Sequence, residues 1–251
     1  MLTDSHSTEN QILAVLDKTD YQHFFSQLEP VSLFQGQVVY EASAPIEHVY
    51  FPQTAVFSML ATMEDGRTVE VGPVGREGLV GLRIFLGAET TIDRVLVHMA
   101  GGAMRLRASK LKAELEIGKS ALHQKLLRYT QMLLAMTART GACNKMHSLE
   151  QQLARWLLTM SDYADHTLPL THELIGLTLG VRRAGVSEAA GSFKDAGLIA
   201  YTRGNIRIVD RGRLEVAACE CYQLIKDEYN NLAADLSEAI SYKLLPHNDR
   251  H

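Results

Sequence analysis

Two features are missing from this chain: a long apolar run and enough cysteines for a disulfide framework. Only three cysteines occur among 251 residues, Cys143, Cys219 and Cys221, and such a low number favours a reducing compartment. No apolar run reaches the roughly 20 residues that span a bilayer. The first residues are polar and acidic, unlike a signal peptide. We therefore expect a cytoplasmic protein that does not cross a membrane.

A strong net charge is also missing. The formal charge of −4 identifies no partner, because affinity for nucleic acid depends on local fields rather than on the total. The composition, 46% apolar and 22% charged, is typical of a globular chain of one to two domains. Cys219 and Cys221 are two residues apart, a spacing that points them to different sides of a helix. We therefore interpret the cysteines as packing residues and predict no metal site.

The first part of the sequence is typical of an antiparallel β protein. Short runs rich in β-branched and aromatic residues alternate with turn residues: VVYEAS, HVYFP, VFSMLATM, RTVEVGPV, DRVLVHM and AMRLRA. Between two of these runs, Asp65-Gly66 predicts a hairpin, because Gly accepts the positive φ that such turns require. The regular spacing predicts a barrel or roll, preceded by a short helical segment.

A long helix follows the predicted strands. Apolar residues recur at alternating spacings of four and three, a pattern of about three heptads: Leu122, Leu126, Tyr129, Leu133, Met136, Thr140 and Cys143. The spacing predicts either a dimerisation seam or an amphipathic helix packed on its own domain, and it does not separate the two. Ser148 followed by Gln151 is a capping-box signature, which predicts that another helix begins there.

Residues 170–199 have the spacing of a helix-turn-helix. Their sequence is LTHELIGLTLGVRRAGVSEAAGSFKDAGLI, in which Thr171 suits a helix cap, Gly180 a tight turn and Gly197 a helix end. The next residues, YTRGNIRIV, predict two strands joined by a tight turn. A helix-turn-helix followed by such a hairpin is a winged helix.

Positive charge is concentrated in this segment. Between Arg182 and Arg213 seven basic residues stand against three acidic ones, a local charge of +4, and phosphate contacts need such a local field. We predict that residues 182–196 form a helix that enters the major groove of double-stranded DNA. The predicted DNA-binding residues are Arg183, Ser187 and Glu188 for bases, and Arg182, Lys194 and Arg203 for phosphates.

These parts, in this order, resemble the Crp/Fnr family of bacterial transcription regulators over nearly the whole chain. SLEQQLARWLL resembles the family's first C-terminal helix, and FQGQVVYEASAPIEHVYFPQTAVFSML with VGPVGREGLVG resembles its β-roll sensor domain. The resemblance implies an α+β fold: an antiparallel, jelly-roll-like β-roll (double-stranded β-helix) in residues 1–118, a long dimerisation helix in 119–145 and a winged helix-turn-helix with a C-terminal helix in 146–251. It also implies a homodimer that binds a palindromic DNA site, responds to a signal through the roll and has RNA polymerase as a partner.

The family's nucleotide site is altered in this sequence. Cyclic-nucleotide-binding members hold the ribose with a Gly-Glu pair and the phosphate with the Arg of an Arg-Ser or Arg-Thr pair. In this sequence Leu82 follows Gly81, and Ile92-Asp93 stands where the Arg-Ser or Arg-Thr pair is expected. Leu accepts no hydrogen bond and Asp repels a phosphate, so we expect no response to cyclic AMP. The predicted effector pocket comprises Gly81, Leu82, Arg83, Asp93 and Arg94, with its small-molecule effector left open. The family's iron–sulfur variant is excluded because its N-terminal cysteine ligands are missing.

Other classes of function remain as alternatives. An enzyme is disfavoured, because HELIG has Gly176 where a zinc protease has its second His, and GPVGREG lacks the Lys-Ser/Thr of a phosphate loop. A sensor or scaffold whose helix pair binds a protein would not be retained on DNA at low salt. A haem-binding gas sensor stays open, since His48, His98 and Cys143 are candidate iron ligands without a diagnostic spacing.

Overall fold

The computed structural model describes residues 10–19, 21–116, 120–164, 167–202 and 204–243, with residues 237–243 described by their backbone alone. Its N-terminal part contains seven strands: β1 Glu29–Leu33, β2 Val38–Tyr40, β3 His48–Pro52, β4 Val56–Thr62, β5 Thr68–Val74, β6 Arg94–Met99 and β7 Gly101–Arg107. They form two antiparallel sheets, ordered β1-β7-β3 and β2-β6-β4-β5. The inner side chains of both sheets share one core, which is the architecture of the predicted roll.

In the roll, the six predicted strand runs are confirmed, and β1 was missed. β1 pairs with β7 at the edge of its sheet, and most of its residues are exposed or half-buried. An edge strand that begins Glu-Pro lacks the apolar alternation by which strands are recognised in a sequence. The hairpin at Asp65-Gly66 is confirmed, because Gly66 has φ +81° between β4 and β5.

The helices lie mainly in the C-terminal half. They are α1 Gln11–Ala14, α2 Gln22–Phe25, α3 Ala108–Glu116, α4 Ala121–Met146, α5 Leu149–Tyr163, α6 His172–Leu179, α7 Arg183–Asp195, α8 Arg211–Ala217 and α9 Cys221–Lys243, with a 3₁₀ turn at Leu82–Ile84. A third antiparallel sheet, ordered β8-β10-β9, comprises β8 Thr167–Leu168, β9 Ile199–Thr202 and β10 Asn205–Ile208. The predicted α+β fold class is confirmed. No helix in the described part of the chain combines the length and apolarity needed to cross a bilayer.

The long helix α4 turns its heptad stripe toward the interior of its own chain. The stripe residues are buried in, or packed against, a core shared with the roll and α9: Leu122, Leu126, Tyr129, Leu133, Met136 and Thr140. Five of the six are buried and Leu133 is half-buried in the single chain, so this stripe packs on its own domain rather than facing a partner chain as the predicted dimerisation seam. The heptad spacing thus reflects burial within the chain. The second interpretation of the pattern, an amphipathic helix packed on its own domain, applies to these residues.

Helix α9 covers one side of α4. The Lys125 ammonium donates hydrogen bonds to the carbonyls of Asp235 and Leu236, at 3.0 and 3.1 Å, and the Tyr229 hydroxyl lies 2.9 Å from the sulfur of Met136. These contacts show that the two helices run antiparallel. The sequence grouped this C-terminal helix with the winged helix-turn-helix, whereas its main packing partner is α4.

A buried polar network joins the roll to α5. Trp156 Nε1 donates to the Glu70 carboxylate at 3.0 Å, Ser58 donates to the same carboxylate, and His98 Nδ1 lies 3.1 Å from Ser58 Oγ. The His98 and Trp156 rings meet edge to face, with centroids 5.2 Å apart. Burial raises the pKa of Glu70 and lowers that of His98 to about 4. The network fixes the start of the helical half against the roll.

Candidate nucleic-acid interface and effector cavity

Helices α6 and α7 form the predicted helix-turn-helix, and local chemistry sets their ends. Thr171 Oγ1 accepts a hydrogen bond from the Leu174 amide at 3.1 Å, and Gly180 ends α6 with φ +68°. A Cβ on Gly176 would lie 2.9 Å from the Val181 carbonyl oxygen, so only glycine lets the turn fold back this closely. The predicted cap and turn glycine are both confirmed.

Gly185 lies where α7 meets α5. A Cβ at this position would lie 3.1 Å from a methyl carbon of Leu149, tighter than ordinary van der Waals contact. Buried Val186 and Phe193 attach the same helix to the core of the C-terminal half. The glycine therefore sets how closely α7 approaches α5.

The first turns of α7 carry the predicted base-reading residues, and one of them has another partner. Arg183 and Glu188 are exposed, whereas Ser187 is half-buried, and its hydroxyl lies 2.9 Å from His172 Nδ1. Burial lowers the pKa of His172, and the nearby Arg183 guanidinium lowers it further. Ser187 thus links α7 to the start of α6, which differs from its predicted place on the open face.

The wing, which comprises β9 and β10, packs beside the C-terminal end of α7. Lys194 places its ammonium 5.2 Å from the ring centroid of Tyr201, a cation–π contact, and the Tyr201 ring also meets His172 edge to face. A cleft of about 560 Å³ opens between the start of α6, the start of α7 and the wing, with Arg183 on its wall. Arg203, predicted to contact phosphate, lies outside the described residues.

The positive charge of this half is distributed unevenly. Arg182, Arg207 and Arg213 are exposed. Arg211 instead forms ion pairs with Asp162 at 2.6 Å and Glu215 at 3.0 Å. Arg211 therefore holds α8 against α5. Because its charge is paired with these carboxylates, it does not add to the positive potential that would attract DNA phosphates.

A cavity of about 400 Å³ lies between the roll and α4, at the predicted effector pocket. Gly81, Leu82, Arg83 and Asp93 line it, whereas Arg94 does not and instead pairs with Glu41 at 3.3 Å. Gly81 has φ +93°, and a Cβ there would lie 2.6 Å from the Tyr40 hydroxyl. Burial raises the pKa of Asp93, with Arg83 opposing. The predicted pocket residues therefore meet, except for Arg94, which the strand turns to its outer face.

The sequence did not indicate which helix residues close this cavity. Thr130, Leu133, Leu134 and Thr137 of α4 form that wall, while apolar side chains dominate the roll side. Thr130, Leu134 and Thr137 belong to a stripe beside the buried heptad face. That stripe mixes polar and apolar residues, so periodicity alone could not reveal it.

The three candidate iron ligands lie in different surroundings. His48 is on β3, His98 belongs to the buried network with Ser58 and Trp156, and Cys143 lies near the end of α4, 3.5 Å from the sulfur of Cys219. They do not converge on the cavity, whose lining contains none of them.

Comparisons with known proteins agree with this geometry. Residues 151–217 match the model of the Crp-like helix-turn-helix domain, while a search of curated proteins gave no match. FixK2 from Bradyrhizobium japonicum is a similar solved structure, with a TM-score of 0.66 at 18% identity over 76% of this chain and 98% of that chain.

Two further structures are similar. A regulator of the Crp/Fnr family described as putative, from Eubacterium rectale, has a TM-score of 0.65 at 16% identity over 82% of this chain and 96% of its own. A Crp/Fnr-family regulator from Thermus thermophilus has a TM-score of 0.63 at 21% identity over 76% and 98%. At these identities the structures establish a shared fold. Residues 151–217 thus form a Crp-like helix-turn-helix domain, in a chain whose fold is that of Crp/Fnr-family regulators of known structure.

Proposed function

We propose that the protein is a homodimeric transcription regulator that binds a palindromic DNA site through α7 and is controlled by a small molecule bound in the roll cavity. The observation that carries this proposal is the Crp-like winged helix with Arg183 exposed in the first turn of α7. Such a regulator works in the cytoplasm, with RNA polymerase as its downstream partner.

Base reading is assigned to the N-terminal turns of α7. In helix-turn-helix proteins these turns contact base edges in the major groove, and Arg183 and Glu188 are exposed there. An arginine can bond both acceptors of guanine, and a glutamate can accept from the amino group of cytosine. Arg182 and the wing residue Arg203 are assigned to phosphates, which position the protein without selecting a sequence. Lys194 is assigned to phosphate from the far end of the helix.

A second stripe of α4 is the surface that we assign to the dimer. It runs along Leu127, Thr130, Leu134, Thr137 and Gly141, at spacings of three and four, which is the pattern of a coiled-coil seam. Leu127 is 44% exposed and Leu134 is 67% exposed in the single chain, so burial against a second copy would remove apolar surface from water.

The same stripe connects the dimer surface to the cavity. Thr130, Leu134 and Thr137 belong to the proposed seam and also line the cavity. A molecule in the cavity would therefore change the packing of the seam and, through α4, the relation between the two DNA-binding halves. The lining is largely apolar, with Arg83 and Asp93 as its charged members, which suits a mainly apolar effector better than a cyclic nucleotide.

Selection from a pool of randomised DNA duplexes tests the proposal. The full-length protein should enrich a two-fold symmetric motif whose half-sites are separated by about one helical turn, roughly 10 base pairs. Its affinity for that motif should fall steeply with salt, because phosphate contacts release counterions. Failure to enrich any motif, together with no retention on DNA at low salt, would support a protein-binding scaffold instead.

A further inference from the structure

Four side chains that bind soft metals meet where α4 ends and α9 begins. Cys143 lies on the last turns of α4 and His147 is the C-cap of that helix, whereas Cys221 begins α9 and Cys219 lies two residues before it. The Cys143 and Cys219 sulfurs are 3.5 Å apart, and the Cys221 sulfur is 3.8 Å from His147 Nδ1. All four ligand atoms lie within 4.8 Å of one another.

Tertiary packing creates this cluster, which the spacing of the cysteines had argued against. Helix α9 begins only at Cys221, so Cys219 precedes the helix and the rule that places residues i and i+2 on different sides does not apply. Both side chains turn toward α4. The three cysteines are buried as a separate cluster, and the His147 side chain is 18% exposed, so the earlier interpretation as simple packing residues is incomplete.

The separations of the ligand atoms are close to those around one tetrahedral ion. Zinc–sulfur bonds are about 2.3 Å long, which places two sulfurs of a tetrahedral site roughly 3.8 Å apart. The Cys143 and Cys219 sulfurs, 3.5 Å apart, are close to that edge length. The Cys221 sulfur and His147 Nδ1, 3.8 Å apart, are close to the slightly shorter sulfur–nitrogen edge, and no two of the four ligand atoms are more than 4.8 Å apart. Three thiolates with one imidazole form a closed set of four ligands, the arrangement of structural zinc sites.

A carboxylate also orients the histidine. With Nδ1 facing Cys221, the opposite nitrogen of His147, Nε2, lies 3.2 Å from the Glu220 carboxylate. Histidines that bind metals regularly donate their other ring N–H to such an acceptor, which fixes the tautomer and the ring orientation. Simple packing of small side chains does not require this partner.

We propose that Cys143, His147, Cys219 and Cys221 bind one Zn²⁺ ion that clamps the end of α4 to the start of α9. His147 is followed by the capping box that begins α5, so the ion would fix the junction through which α4 leads from the roll into the DNA-binding half. Metal binding stabilises only the folded arrangement, because the four ligands are far apart in the unfolded chain.

Metal content of the full-length protein, purified with a thiol reductant and without chelator, tests the proposal. Native mass spectrometry and elemental analysis should find one zinc per chain. After chelator treatment, Co²⁺ alone should restore a single ion with the visible bands of a tetrahedral site and the ultraviolet charge-transfer band of thiolate ligation. Removal of the metal should lower the Tm, and Zn²⁺ should restore it.

Matched variants separate ligation from folding. Cys219→Ser and His147→Gln should lose the ion. His23→Gln should keep it, because His23 is an exposed histidine on α2 that does not belong to the cluster. Glu220→Gln should keep the ion but weaken its binding by about 10–100-fold. The proposal is overturned if the wild type holds no metal and gives no Co²⁺ bands, or if it contains a Cys143–Cys219 disulfide under reductant. Full metal content in both ligand variants would also overturn it.

Discussion

Arg183 is the residue on which we expect base selection to depend. It lies exposed in the first turn of α7, where an arginine can bond two acceptors of one guanine. Arg183→Ala should weaken binding to the selected site by about 1–3 kcal/mol and relax preference at one base pair per half-site. Binding assays on the selected duplex and on its single-base variants measure both effects.

The control for that prediction is Lys110→Ala, which removes one positive charge from an exposed position on α3 of the roll. It should leave both affinity and base preference unchanged. Arg203→Ala should weaken all sequences alike and flatten the salt dependence, because phosphate contacts carry no sequence information. Unchanged base preference in Arg183→Ala would show that α7 does not read DNA in the proposed way.

His98 should make stability depend on pH. Burial lowers its pKa from 6.5 to about 4, so the folded protein binds fewer protons than the unfolded chain between these values. The stability from neutral His98 is therefore present above pH 6.5 and is lost as pH falls toward 4, by up to about 3 kcal/mol. The free energy of unfolding of the wild type should fall over this range relative to that of His98→Gln; a constant difference would contradict the assignment.

At the scale of elements, the turn between α6 and α7 depends on a glycine. A Cβ on Gly176 would lie 2.9 Å from the Val181 carbonyl oxygen, and backbone yields less readily than a side chain. Overpacking costs about 1–3 kcal/mol, which we expect to outweigh the helix propensity of about 1 kcal/mol that alanine adds. Gly176→Ala should therefore reduce the free energy of unfolding and weaken DNA binding.

Gly191 on α7 provides the matched substitution. A Cβ there meets no atom within 4 Å, so Gly191→Ala should raise the free energy of unfolding by up to about 1 kcal/mol. Urea denaturation of the two variants should thus show opposite signs. If both variants were stabilised, the close approach at Gly176 would not be a constraint in solution.

At the scale of the whole molecule, the exposed stripe of α4 should hold two copies together. A Leu134→Glu substitution would place an unpaired carboxylate in the proposed seam, where burial of one charge costs about 3–5 kcal/mol. Because Leu134 is 67% exposed in the single chain, the fold should survive and the protein should sediment as a monomer.

Ala135→Glu is the control, since Ala135 is exposed on the same helix but points about 100° away from Leu134. This variant should sediment as the wild type does, as a dimer. Leu133→Asp cannot serve the same purpose, because half-buried Leu133 packs against the chain's own core and its replacement would disturb folding. A Leu134→Glu protein that stays dimeric would place the interface elsewhere.

The sequence by itself determined the order of roll, long helix and winged helix, because strand alternation, helix caps and turn glycines are local signals. Thr171, Gly180 and the capping box at Ser148 each act within a few residues. Only the tertiary structure decided which stripe of α4 is buried, because a heptad pattern does not say what covers it. It also brought Cys143 to Cys219, 76 positions apart, since such contacts arise from the packing of α9 on α4 rather than from any local pattern.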